Sequence, residues 1–399
     1  MSSINQLLMP SRILYGQGSF QEVGKQASSL GKKALIISDP IMVKIGNVTL
    51  CEEHLKKESI PYAKYLGVDS EPTDLHVTEA LAICRKEGCD VVIAVGGGSC
   101  IDTAKAVAVM MRNEGSINDY VSNKKLFKEK SLPVIAIPTT AGTGSEVSKV
   151  TVIIDTKTDV KMMISQPELL PTIAIVDPQL TVSCSPSVTA ATGVDALCHA
   201  IEAYISRRAQ PITDVLALSA IKNIMENLRR AYEDGDDLEA RDKMSIASML
   251  AGASFSNSSV TLVHGMSRPI GALFHVPHGV SNAMLLPGVL EFTKESAIDR
   301  LAVIGRLIKP DLKSVSDREM ADEVILEVKQ LCRDLKISNM KTWGIDKNQL
   351  DQVVSKMATD ALASGSPENN PRIPSHEEIV QLYQVCYDYD FRSNRKISL

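Results

Sequence analysis

No Cys-x-x-Cys pair occurs among the eight cysteines, which stand at positions 51, 84, 89, 100, 184, 198, 332 and 386. That excludes a paired-thiol framework and leaves scattered, reduced thiols, as expected of a cytoplasmic protein. No basic stripe is present either: 43 Lys and Arg are interspersed with 48 Asp and Glu for a formal net charge of −5, so a nucleic-acid partner is not expected. The first ten residues, Met1-Ser-Ser-Ile-Asn-Gln-Leu-Leu-Met-Pro10, lack the basic start and apolar centre of a signal peptide. No later run is apolar for long enough to span a bilayer, so no membrane partner is expected. Internal repeats and low-complexity tracts are missing as well.

What is present is an ordinary globular composition, 44% hydrophobic and 23% charged, over 399 residues. That length exceeds what one hydrophobic core usually serves, which predicts two domains. The first, over residues 1–184, reads as an α/β dinucleotide-binding domain with a parallel sheet. Lys33–Ser38, Asp90–Val95 and Leu132–Ile137 are short continuous apolar runs suited to buried parallel strands, and Leu75–Glu87 has helical character. The segments 150–154 and 159–165 flank a turn and predict a hairpin. The second domain, over residues 185–399, reads as all-helical, with helical periodicity near 190–205, 211–231, 238–257, 295–309, 316–335, 347–360 and 376–388, and a loop over 365–374.

Chemistry is concentrated at three strand ends and in one later stretch. Asp39 follows the first strand, where a carboxylate either holds the ribose hydroxyls of NAD or caps the turn before Pro40. Gly96-Gly-Gly-Ser-Cys-Ile-Asp102 follows the second: Gly96, Gly97 and Gly98 allow close approach of an anion, and Ser99 with Asp102 reads as a capping pair. A diphosphate would rest on the N–H groups of the helix that starts there. Pro138-Thr-Thr-Ala-Gly-Thr-Gly-Ser-Glu146 follows the third strand and is dense in hydroxyls and glycine. Gly16-Gln-Gly18 is rejected as the main phosphate loop, because no strand-helix unit supports it.

Four of the seven histidines lie between Thr189 and Gly279. Asp195 and His199 are spaced i, i+4 and share a helix face, while His264 and His278 flank segments broken by Gly and Pro. One carboxylate and up to three imidazoles suit a divalent cation, Fe(II) but equally Zn, Co, Ni or Mn. Cys198 points away from that face and reads as packing.

These motifs together resemble the iron-containing (group III) alcohol dehydrogenases of the lactaldehyde reductase and propanediol dehydrogenase kind, over almost the whole chain. The resemblance is carried by Gly96–Ser99, Pro138–Thr143 with Ser145–Val147, Ala190–Leu197 with His199–Tyr204, Val263–Met266 and Pro277–Gly279. It implies a dehydroquinate synthase-like N-terminal domain, a helical metal-binding domain, NAD(H) as cofactor, and a homodimer or larger homo-oligomer. The implied metal ligands are Asp195, His199, His264 and His278. The implied cofactor contacts are Asp39, Gly97, Gly98, Ser99, Thr139, Thr140, Ser148 and Lys161. The implied reaction interconverts a short aldehyde and its primary alcohol.

Two positions depart from the family pattern: Glu71-Pro72 stands where many members have Asn-Pro, and Met266-Ser-Arg-Pro269 where they have Met-Ala-His-Pro. Arg268 stays charged and cannot donate a proton as that histidine would, but it is suited to a carboxylate, sulfonate or phosphonate. An anionic aldehyde is thus one expectation, and pairing of Arg268 with a protein carboxylate or with the cofactor's phosphates the other. His275 reads either as a proton relay or as an exposed loop residue. A dehydroquinate synthase-type lyase, a hydroxyacid–oxoacid transhydrogenase and a nucleotide-binding subunit without catalysis are the rival readings.

Overall fold

The computed structural model describes residues 4–312 and 314–392. Its N-terminal part is built on a six-stranded parallel sheet of β1 (Arg12–Tyr15), β2 (Ala34–Ser38), β3 (Tyr62–Tyr65), β4 (Val91–Gly96), β5 (Val134–Pro138) and β8 (Ile173–Val176), in the order β1-β8-β5-β4-β2-β3. Hydrophobic clusters cover both faces of this sheet. Leu35 and Ile37 join one cluster and Ala34 and Ile36 the other, as period-2 alternation in a doubly covered strand requires. The surrounding helices are α1 (Val23–Leu30), α2 (Pro40–Lys44), α3 (Asn47–Lys57), α4 (Asp74–Glu87) and α5 (Gly98–Met110). An antiparallel hairpin, β6 (Val150–Asp155) and β7 (Val160–Ser165), stands apart from the sheet. Strands β1, β3 and β8 have no counterpart among the sequence expectations; β1 and β3 are short and only half buried, so their hydrophobic signal is weak.

From Pro186 onward the described chain is helical: α6 (Pro186–Ile205), α7 (Pro211–Glu233), α8 (Leu238–Asn257), α9 (Leu262–Phe274), α10 (His278–Thr293), α11 (Ile298–Ile308), α12 (Asp317–Asp334), α13 (Met340–Trp343), α14 (Lys347–Ala363) and α15 (His376–Tyr387). No single helix among the described residues is long and apolar enough to cross a membrane. A single apolar cluster runs through these helices.

The structure corrects the sequence reading at two places. The stretch around His264 and His278, read as broken by Gly and Pro, forms two helices, with Gly265 and Pro269 inside α9 and Pro287 inside α10. Burial explains it: Leu262, Val263, Met266 and Ile270 are all sequestered. At about 2 kcal/mol each, they outweigh the roughly 3 kcal/mol that an interior proline costs a helix. The second correction concerns Ser99 and Asp102, which form no capping pair. The residue at the start of α5 is Gly97, without a side-chain cap, and Asp102 turns toward the hairpin, accepting hydrogen bonds from Ser145 Oγ at 2.5 Å and from the Val152 N–H at 2.8 Å.

Candidate active site between the sheet edge and the helical domain

The sheet register places Ser38 beside Val95 and Gly96 beside Pro138, so the ends of β2, β4 and β5 lie side by side at one sheet edge. In parallel α/β sheets this is the edge at which ligands bind. Gly96 has φ 157°, and a Cβ there would lie 2.5 Å from Cys100 Sγ and 3.2 Å from Asp39 Oδ2. A Cβ on Gly98 would meet Thr143 at 2.9 Å, whereas one on Gly97 would meet nothing closer than Thr140 Oγ1 at 3.7 Å. The first two glycines serve packing of the turn. Gly97 instead leaves an open approach to the N-terminus of α5, where Ser99 lies in the first turn.

Asp39 caps α2 by accepting from the Met42 N–H at 2.9 Å, and its second oxygen accepts from the Cys100 thiol at 3.4 Å. Asp39 thus caps α2 and borders the glycine loop. Thr139 is buried and Thr140 half-buried at the end of β5. Ser148 lies deeper, its hydroxyl 3.1 Å from Lys105 Nζ. Lys161 sits on β7 and pairs with Glu71 at 3.1 Å.

The loop after β5 joins the two halves. The Cα of Gly144 packs directly on Gly252 of α8, where a Cβ on either residue would fall within 2.6 Å of the other's backbone. Gly142 offers its carbonyl oxygen to His199 Nδ1 at 3.3 Å. The cofactor-side loop thus touches the histidine cluster itself.

That cluster is made by α6, α9 and α10. Asp195 Oδ1 lies 3.5 Å from His264 Nε2, 3.9 Å from His278 Nε2 and 4.0 Å from His199 Nδ1. Asp195, His199 and His264 each offer a ligand atom within 4.8 Å of the others, a spacing that admits one cation about 2.1 Å from each, while His278 approaches Asp195 but falls outside that group. A second observation agrees. The Asn282 amide nitrogen lies 2.6 Å from Asp195 Oδ1, 3.1 Å from His264 Nε2 and 3.2 Å from His278 Nε2, while its buried Oδ1 has no partner. Two N–H hydrogens cannot serve three converging groups, whereas a cation, on displacing the His264 proton, would draw on the Asp195 oxygen and the imidazole nitrogens. Asp195, His199 and His264 are buried; a third of the His278 side chain faces the cleft.

Electrostatics follow from this burial. Desolvation alone would raise the Asp195 carboxyl, but the charges of His199 and His278 and the hydrogen bond from His264 hold it well below the ordinary range. Desolvation pushes His199 down to about 4 and His278 down to about 3, favouring the neutral imidazoles that ligate metals. In His264 burial opposes charge, yet Glu202 and Asp195 outweigh it and lift the imidazole to about 9.

Sequence reasoning passed over three residues of this site. Glu202, buried on α6, accepts from His264 Nδ1 at 2.5 Å, from Thr261 Oγ1 at 2.7 Å and from the Val263 N–H at 2.6 Å. Holding the Nδ1–H, it turns Nε2 toward the cluster, where loss of the second proton on metal binding would free that lone pair. Its signal was the i, i+4, i+7 stripe Asp195, His199, Glu202. Asn282 stands one turn beyond His278. Phe255 stacks on the His199 ring, centroids 4.4 Å apart, and nothing in its local sequence marks it.

Arg268 lies one turn beyond His264 on α9. Its guanidinium is drawn down to about 10 by desolvation, against the opposing charge of Glu202, and it donates to Met163 Sδ at 3.1 Å. Among the described residues no carboxylate forms an ion pair with it, and the charge of Glu202 acts on it from beyond that distance. His275 ends α9 in a left-handed conformation, φ 51°, and is exposed. It borders a cavity of about 340 Å³ together with Glu71, Thr73, Lys161, Gly271 and Pro277.

Comparison with known proteins agrees with this geometry. The family described as iron-containing alcohol dehydrogenase matches residues 10–178, and its C-terminal counterpart matches residues 189–387. The 1,3-propanediol dehydrogenase of Klebsiella pneumoniae is 35% identical over 384 residues, covering 95% of this chain and 98% of the relative. A solved 1,3-propanediol oxidoreductase superposes with a TM-score of 0.93 at 35% identity, covering 96% of this chain and 100% of its own. The sulfoacetaldehyde reductase of Bifidobacterium kashiwanohense, solved in complex with NAD+, does so with a TM-score of 0.85 at 29% identity, covering 98% and 100%.

Proposed function

Since the chain belongs to the iron-containing alcohol dehydrogenase family, whose members use iron and NAD(H), we propose that it interconverts a short aldehyde carrying an anionic group and the corresponding primary alcohol, with Arg268 holding that group. Iron, when bound, supplies Lewis-acid polarisation of the carbonyl oxygen toward hydride from NADH. Asp195, His199, His264 and His278 would hold it. Glu202 orients His264, and Phe255 covers one face of His199 against water. The glycine turn and Asp39 would hold the dinucleotide, with Ser99, Asp102, Thr139, Thr140, Ser148 and Lys161 assigned to the same side of the cleft.

The observation that carries the anionic substrate is the Arg268 guanidinium: partly desolvated, one helical turn from a candidate ligand position, and in no ion pair among the described residues, the Glu202 charge acting on it only from beyond pairing distance. A half-buried cation without a close ion pair is costly, and a ligand carboxylate or sulfonate would relieve that cost through two parallel hydrogen bonds. The likeness to a sulfoacetaldehyde reductase supports the same reading. The likeness to 1,3-propanediol dehydrogenases favours the second one, a generalist for neutral diols and alcohols.

The two separate in NADH oxidation by iron-loaded protein against neutral aldehydes and their sulfonated or carboxylated analogues. Arg268→Gln is expected to raise KM for the anionic member about 30-fold or more, with the neutral member little changed. Equal effects on both would return the protein to the generalists. We also take the enzyme to act in the cytoplasm as a homodimer or larger assembly. Its eight free thiols support the compartment, and the exposed Tyr15 on edge strand β1 supports the assembly.

A further inference from the structure

The fourth candidate ligand is placed differently from the other three. Asp195, His199 and His264 stand inside α6 and α9, and their ligand atoms lie within 4.8 Å of one another. His278 is the first residue of α10, a third of its side chain is exposed, and its Nε2 lies 3.9 Å from Asp195 Oδ1, too far for a hydrogen bond. Asn282 spans that gap from one turn further along the same helix face. Fully buried, it places its amide nitrogen 2.6 Å from Asp195 Oδ1 and 3.2 Å from His278 Nε2. The amide carries two N–H groups, one for each partner. The reverse orientation would set the amide oxygen against the Asp195 carboxylate, so the donors face the ligands.

We propose that Asn282 is a positioning residue for the metal site, bringing His278 into reach of the Asp195, His199 and His264 group by bridging Asp195 and His278. The proposal rests on the reading that these four residues hold a divalent cation. An N–H directed at His278 Nε2 favours the tautomer with its proton on Nδ1, so the nitrogen nearest the group is the one with a free lone pair. The two partners then differ. A carboxylate oxygen has two lone pairs and can accept the N–H while ligating, whereas an imidazole nitrogen has one and must give the N–H up. Asn282 therefore keeps His278 beside the group until ligation, and keeps Asp195 oriented after it.

The test measures the Fe(II) affinity of wild type and Asn282→Leu by anaerobic competition with a chromophoric chelator. Asn282→Leu keeps the side-chain size and removes the N–H donors, and because the buried Asn282 Oδ1 has no partner, nothing is lost with it. The expected result is an affinity about 10- to 100-fold lower, while thermal melting with the metal chelated and NADH binding by fluorescence stay close to wild type. Asn282→Ala, which adds no branch to the core, should lose affinity in the same direction. In a His278→Ala background, which keeps the other three ligands, Asn282→Leu should cost less than it does in wild type, because one of its two partners is gone. Wild-type affinity in both Asn282 variants overturns the role of Asn282. An equal loss in the His278→Ala background overturns the link to His278, and a melting temperature that falls in step with the affinity reduces Asn282 to packing. Wild type that binds no Fe(II) overturns instead the metal reading on which the proposal rests.

Discussion

The two halves of the cleft are built from different materials. On the sheet side the candidate cofactor cradle is largely backbone: Gly96 and Gly98 let the turn close, and Gly97 opens onto a helix N-terminus. On the helical side the candidate metal site is entirely side chain, a carboxylate and three imidazoles from α6, α9 and α10, with Glu202 and Asn282 against them. A backbone cradle needs little charge, since its N–H groups are present whatever the side chains. A side-chain cluster needs burial, convergent charge and a cation to balance it, so its helices must be placed accurately by the core around them.

This contrast can be broken most sharply at Asp195. Asp195→Asn is expected to abolish stoichiometric iron binding and lower kcat/KM by at least about 10³-fold, while fluorescence titration of NADH stays close to wild type. Loss of NADH binding together with the metal would show that the two halves do not act separately.

A smaller effect tests how much buried charge the sheet side tolerates. Glu146, buried beyond the hydroxyl loop, is raised to about 7 by desolvation, with Lys105 acting in the opposite direction. The unfolded carboxyl ionises near 4.5, so the folded form keeps its proton until pH 7. Stability contributed by the neutral acid is complete below pH 4.5 and is lost as pH rises to 7. Glu146→Gln should equal wild type in urea unfolding below pH 4.5 and exceed it by about 3 kcal/mol above pH 7. A constant difference across that window would mean that Glu146 is not an uncompensated charge.

The smallest effect sharpens the backbone side. Gly97→Ala places its Cβ 3.7 Å from Thr140 Oγ1, an ordinary contact, at a φ of −73° open to any residue. It should change stability by less than about 1 kcal/mol and weaken NADH about tenfold by narrowing the approach to α5. Unchanged affinity would remove Gly97 from the cradle.

Much of the site was readable before folding, and for local reasons. Strand β4, its glycine turn and α5 are contiguous, and Asp195 and His199 share a helix face by spacing alone. Glu202 extends that stripe by three residues, but its meaning needed His264, which is 62 positions away. The Ser99–Asp102 cap failed because Asp102 found better partners in Ser145 and Val152, from a hairpin that local pattern could not dock. The continuity of α9 through Gly265 and Pro269 was hidden because propensity argues against it and only the buried stripe argues for it.

By itself the sequence determined the division into a strand-rich and a helical part, the glycine turn after β4, and the shared helix face of Asp195 and His199, since each follows from spacing within a few turns of chain. Only the tertiary structure decided that three histidines from three helices meet Asp195, that Arg268 lacks a carboxylate while Lys161 has one, and that Gly144 and Gly252 bring the two halves into contact. Those outcomes depend on contacts between residues far apart in the chain, which side-chain packing selects and local periodicity does not encode.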